Sequence, residues 1–254
     1  YYSWSYYSLL YMKIYFDGCA KTGGYSRTGR VDQRYPKLLC EKLNAEEYNL
    51  ANRNGNNTRI VRNLLEHDLS QFDLFIIQMT KRNRFEYFDK KIKKWVSIGM
   101  QTRKLPKEIT GLSETIDEIF ITVRNEDEKF INLYTIWKNK IISLNDVPSY
   151  HRPDKEIYKI NEVSDDVSHM VKHYLHYYRC VYSEEQSKVD EQMCFRTMKS
   201  LLKNHKHIIM YMHSDKEINV PVDLIYKKGK DYVSGFYMGA DTHQIIMNDI
   251  LKLL

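Results

Sequence analysis

The sequence predicts an α/β fold, a three-layer α/β/α sandwich built on a mainly parallel, doubly wound sheet. Two observations carry this. Strand, helix, strand, helix and strand patterns succeed one another within about sixty-five residues, the arrangement that stacks helices on both faces of a parallel sheet. The stretch 72–78 is apolar with no polar alternation, as a strand covered on both faces requires.

Taken in order, residues 13–16 form a strand candidate that runs into the turn-rich Asp17-Gly18-Cys19-Ala20-Lys21-Thr22-Gly23-Gly24. Residues 31–43 read as a helix with Tyr35, Leu38, Leu39 and Leu43 on one face. A second short strand at 47–51 leads into the polar loop from Asn52 to Asn57, and 58–69 is helical, with Ile60, Leu64, Leu65 and Leu69 near one side. After the strand at 72–78 the pattern loosens. Residues 90–150 mix charged and β-branched pieces, including 119–123 and 130–137, and read as an insertion or lid on the sheet. Helices return at 165–180 and 184–204, a buried-type strand at 207–212, and a closing helix at 241–254 stacks Ile246, Ile250 and Leu254. Ligands of doubly wound sheets sit beyond the carboxyl ends of the strands, so the loops at 17–24, 52–57 and 78–84 are expected to line one crevice.

The composition suits a globular chain. The 254 residues are 43% hydrophobic and 28% charged, with only 10 Gly and 5 Pro but 21 Tyr, which excludes a disordered or collagen-like chain. No apolar run reaches the roughly 20 residues that span a bilayer. Cys19, Cys40, Cys180 and Cys194 form no C-x2-C pair, so a reduced, cytoplasmic protein is expected. The opening eleven residues lack the basic and apolar regions of a signal peptide. They are expected to be a leader outside the fold, followed by one domain over 12–254 that carries the insertion at about 90–150.

Some motifs point elsewhere. Gly18-x-x-x-x-Gly23 lacks the Lys and Ser/Thr that a phosphate-cradling loop needs after its second Gly. His169, His173 and His176 fall at i, i+4 and i+7 of a predicted helix, a spacing able to hold zinc, but a polar helical face is the commoner explanation. Basic and aromatic residues interleave from Lys81 to Trp95, but Glu86 and Asp89 interrupt them and the whole chain carries only +6. A solvated rim is therefore expected rather than a nucleic-acid surface. Neither a metal nor a cofactor is expected.

Four blocks in order resemble the SGNH/GDSL hydrolase family, in particular a branch frequent in phage and virus-like sequences whose first block reads D-G-C-S-F-T-x-G. Asp17 to Gly24 matches that block directly after the first strand, Asn54 to Ile60 matches the second, Asp73 to Thr80 followed by Arg84 to Phe88 matches the third, and Asp241-Thr242-His243 represents the last. The resemblance implies an SGNH-hydrolase or flavodoxin-like sheet and an enzyme of the esterase or acyl/acetyl-ester hydrolase class. In such enzymes a base-activated serine attacks the carbonyl while preset donors meet the developing oxyanion. The family pattern places Asp241 and His243 as orienting carboxylate and base, and Gly55, Asn57, Gln78, Thr80 and Arg84 around the oxyanion and substrate. At the serine position stands Ala20, with Cys19 beside it. The expectation is a hydrolase-like chain, impaired or rewired, that takes a small ester, glycan or lipid ligand, or else a non-catalytic module that binds such a ligand. His243 also aligns with a later G-H-x-x-I element of the terminal helix, an alternative that leaves the last catalytic block unmatched. A phage or viral gene is the source the resemblance suggests; oligomeric state is left open.

Overall fold

The computed structural model describes residues 11–24, 32–52, 55–82, 84–90, 93–105, 116–125, 131–137, 140–143, 161–162, 183–212, 220–226 and 240–254. The chain divides into two compact units. The first comprises the chain up to Asn52, Arg62–Met79 and Thr197–Leu254, and the second Arg53–Val61 and Thr80–Arg196.

The first unit holds a five-stranded sheet of β1 (Met12–Asp17), β2 (Ala45–Asn49), β3 (Leu74–Met79), β10 (His207–Tyr211) and β11 (Leu224–Ile225), in the order β11-β10-β3-β1-β2. Every pairing in it is parallel. This is the doubly wound α/β architecture read from the sequence, with the order reversing between β1 and β3. The middle of both strands flanking that switch point, Ile14 to Phe16 and Leu74 to Ile77, is apolar because both faces are covered. On one face Ile14, Phe16, Leu74, Ile76, Ile208 and Met210 pack under Tyr35 and Leu39 of helix α2 (Tyr35–Leu43) and Ile246 and Ile250 of the closing helix, here α5 (Ala240–Leu253). Each such side chain removed from water contributes about 1.5–3 kcal/mol. On the other face Tyr15 meets His67 and Phe75 edge-on or tilted, and His207 meets Lys199 of α4 (Glu184–Leu201). Helix α3 (Asn57–Glu66) ends one residue before His67.

Several boundaries differ from the sequence reading. Helix α2 starts at Tyr35 rather than 31, with Pro36 in its first turn, where the missing N–H of proline costs no helical hydrogen bond. It stops at Asn44, which takes a left-handed φ of 51°. The second strand lies at Ala45–Asn49, two residues earlier than expected, because this αL residue turns the chain straight into the sheet.

The described residues of the stretch read as irregular belong to a regular sheet. In the second unit β4 (Arg84–Asp89), β5 (Lys94–Leu105), β6 (Ile116–Asn125), β7 (Ile131–Trp137), β8 (Lys140–Ser143) and β9 (Asn161–Glu162) pair in sequence order, all antiparallel. An antiparallel strand tolerates a polar face, so its signal is alternation rather than an apolar run, and charged residues blur it. The pieces at 119–123 and 130–137 noted in the sequence fall largely on β6 and β7. The helix expected at 165–180, and with it His169, His173 and His176, lies outside the described residues, as does the eleven-residue leader up to its last member. Among the described residues no helix is long and apolar enough to cross a membrane, and no group of three metal-ligating side chains gathers.

Candidate functional site

The carboxyl ends of β1, β2, β3 and β10 meet around the loop that follows β1. Gly18 O accepts from Asn52 N at 3.4 Å, Thr22 O from Asn49 Nδ2 at 3.4 Å, and Met212 O from the Lys21 ammonium. Chain continuity and sheet order thus place residues 17–22 where the fold concentrates its ligand contacts.

Asp17, the last residue of β1, is wholly buried. Its carboxylate accepts from Gly18 N at 2.7 Å, from Asn63 Nδ2 at 2.8 Å and from the Tyr15 hydroxyl at 3.4 Å, which compensates part of the desolvation a buried carboxylate suffers. Gly18 follows because nothing larger fits: a Cβ there would stand 2.7 Å from Gln78 Cβ and 2.8 Å from Thr22 Oγ1.

Gln78 holds the next turn. Its Oε1 accepts from Thr22 Oγ1 at 2.7 Å and from Cys19 N at 3.3 Å, and its Nε2 donates to Cys19 Sγ at 3.2 Å. Thr22 Oγ1 in turn accepts from the Tyr35 hydroxyl at 2.9 Å. Burial, the leading influence, pushes the Tyr35 phenol far above its ordinary range despite the opposing bond to Thr22, so the phenol stays a donor and the chain Tyr35 to Thr22 to Gln78 has one direction. Cys19 is 2% exposed and caps the helical turn α1 (Ala20–Gly23). Ala20 opens that turn and is more open than Cys19 before it or Thr22 after it.

His243 lies inside α5, 1% exposed, stacked on the Tyr35 ring at 6.0 Å and 29°. Its Nδ1 accepts the backbone N–H of Tyr35 at 3.2 Å. Burial first, then the Arg34 guanidinium, lowers its pKa to about 4. Arg34 itself forks onto Glu47 at 2.7 and 3.3 Å. Asp241 is exposed in the first turn of α5. Two positions along a helix turn a side chain by about 200°, so Asp241 and His243 stand on opposite sides of α5.

The remaining sequence candidates lie in the second unit. Asn57 and Thr80 are brought together: Asn57 Oδ1 accepts from Thr80 N at 2.8 Å and from its hydroxyl at 3.3 Å, and Asn57 Nδ2 donates to Thr80 O at 3.4 Å. Gly55 is buried, and its carbonyl accepts from Arg84 Nη1 at 3.2 Å. These atoms tie loop to loop within that unit.

Sequence reasoning missed Tyr35, Asn63, Arg34 and Glu47. Tyr35 was visible only as one apolar member of a helical face, and a lone Asn in the middle of a helix gives no signal that it will meet a carboxylate 46 positions away.

No family model matches the chain, and no curated protein matches it. Among solved structures it is similar to a carbohydrate esterase whose active site displays divergent catalytic and non-catalytic binding functions, at 14% identity and a TM-score of 0.44 over 95% of this chain. It is also similar to an acetyl xylan esterase from the rumen bacterium Butyrivibrio proteoclasticus, at 10% identity and a TM-score of 0.41 over 96% of this chain. The chain spans 64% of the length of each. Likenesses this distant carry no argument about fold or chemistry; the fold rests on the order and direction of the strands.

Proposed function

We propose that the first unit is an SGNH-hydrolase-like site of the ester-hydrolase class that has lost turnover and holds its ligand without cleaving it. The ligand class is a small acyl or acetyl ester on a glycan or lipid. One observation carries the reading: Ala20 opens the turn after β1 where the family resemblance places the serine, and a methyl group has no lone pair to attack a carbonyl. Cys19 does not replace it, since its thiol is buried against Gln78. Nor does His243 offer a base of the required kind. A backbone N–H is always a donor, so Nδ1 of the neutral ring is the acceptor and the proton sits on Nε2, whereas a triad needs the lone pair on Nε2. On this reading Ala20 lines the ligand site, Cys19 and Gln78 brace the turn that carries it, Asp241 and His243 are inherited positions without a catalytic step, and Gly55, Asn57, Thr80 and Arg84 tie loops together within the second unit. The reading also takes 12–254 as one domain with the segment at about 90–150 inserted in it, encoded by a phage or virus and retained in the cytoplasm.

Release of p-nitrophenol from its acetate ester tests this in the native chain, in Cys19→Ala and in Ala20→Ser. All three are expected to stay at the uncatalysed rate. Native turnover abolished by Cys19→Ala would show a working thiol enzyme and overturn the proposal. Binding is read at the ¹³C-labelled Ala20 methyl, whose resonance is expected to move with an acetylated disaccharide and to stay in place with the deacetylated sugar.

A further inference from the structure

The imidazole of His243 joins two helices. It extends from α5 to the backbone N–H of Tyr35, the first residue of α2. The first four N–H groups of a helix have no partner within it, and Arg34, at the capping position, makes no side-chain cap. His243 supplies an acceptor from another element, and the Tyr35 ring lies over the imidazole.

We propose that His243 is an acid-labile clasp between α5 and the start of α2. Protonation would put a hydrogen on Nδ1, opposite the Tyr35 N–H, so two donors would face each other and the contact would break. The surrounding charges favour this. Arg34, directly before α2, brings positive charge near the ring. The carboxylate nearest to Arg34, Glu47 of β2, is occupied by its bidentate pairing with Arg34 and by Asn49 Nδ2 at 2.8 Å. On α5, Asp241 points away into solvent, and Asp249 accepts from Tyr226 at 3.2 Å and pairs with Lys252. On α2, Lys37 and Glu41 pair with each other on the outer side, and Cys40 is a buried neutral thiol. On the turn after β1, Cys19 and Thr22 engage Gln78, and Lys21 engages Met212 O. None of these groups is placed to welcome an imidazolium.

The sign follows from linkage. The folded state binds the His243 proton less readily than the unfolded state does, so the clasp contributes fully above pH 6.5 and its contribution is lost as pH falls toward about 4. Through this one group the folded-to-unfolded ratio is expected to fall on the order of 100-fold across that window.

Long-range ¹H–¹⁵N correlation on the native chain reads the ring directly. At pH 7 the expected pattern is an unprotonated Nδ1 and a protonated Nε2, with the Tyr35 amide protected from hydrogen exchange; its protection factor should drop as the ring titrates near pH 4. The His243→Gln variant keeps an acceptor that does not titrate in this range, so its denaturation midpoint should depend less steeply on pH between 6.5 and 4 than that of the native chain. Protonated Nδ1 at pH 7, a midpoint near that of a free imidazole, or unchanged acid dependence in His243→Gln would overturn the proposal. Should the variant fail to fold, the measurements on the native ring and amide decide alone. They are independent of ester turnover, so failure of the clasp and failure of the binding-site reading are told apart.

Discussion

Gly18 shows how one position can be decided by what lies across the sheet. The first heavy atom of any side chain there would stand 2.7 Å from Gln78 Cβ, which belongs to a central strand and has little room to retreat. Gly18→Ala is therefore expected to cost about 1–3 kcal/mol, the range for overpacking a filled interior, measured as a lower urea midpoint at unchanged slope. Asn63 makes the complementary case. Its amide donates to the buried Asp17 carboxylate at 2.8 Å. Asn63→Leu keeps the volume and removes the donor, so about 1–3 kcal/mol should be lost, again read from chemical denaturation. The glycine could be read from the sequence as a turn residue, but the reason for it lies in a glutamine 60 positions later. Asn63 could not be read at all, because its partner is brought to it only when α3 packs on the sheet.

Among the elements, α3 starts at Asn57, one residue before the 58 read from the sequence, and Asn56 stands just ahead of it. Asn56 Oδ1 accepts from Arg59 N at 2.8 Å and from Thr58 Oγ1 at 2.6 Å, which satisfies an amide that the first turn leaves without a helical partner. Replacing Asn56 with Ala should lower stability by about 0.5–2 kcal/mol, and Asn56→Asp should recover most of it; thermal melts of the two variants check this. The link between Arg82 and α4 was not legible. Arg82 Nε pairs with Glu191 Oε2 at 2.8 Å, with side-chain exposures of 6% and 0%. In the sequence these are one charge in a basic run and one charge on a polar helix, 109 positions apart. Arg82→Ala strands a carboxylate in the interior and is expected to cost about 3–5 kcal/mol, whereas Arg82→Met combined with Glu191→Leu should cost much less. A double-mutant cycle by denaturation separates the two outcomes.

Across the whole molecule, buried thiols report on the integrity of the fold. Burial, with Glu47 next in effect, pushes the Cys40 thiol up to about 12, and burial, with Asp190 next, pushes Cys194 up to about 11. Cys19 and Cys40 are 2% and 5% exposed. At pH 8 a thiol-specific reagent should modify Cys19 and Cys40 only at the rate of unfolding and within minutes in denaturant, as resolved by peptide mass spectrometry; rapid labelling of either residue in native buffer would contradict the packing described. The sequence by itself determined the parallel sheet, because strands covered on both faces must be apolar throughout, and it determined the turn-rich loop after β1, because Gly and Asp mark turns locally. It also fixed that an alanine, Ala20, follows Cys19 in that loop, which is a matter of identity and not of geometry. Only the tertiary structure decided what the neighbouring residues do. Whether Cys19 is open or locked, whether Asp241 can reach His243, and which imidazole nitrogen carries the proton all depend on groups distant in the chain, and a hydrogen bond between residues 208 positions apart exists only once α2 and α5 pack on the same face of the sheet.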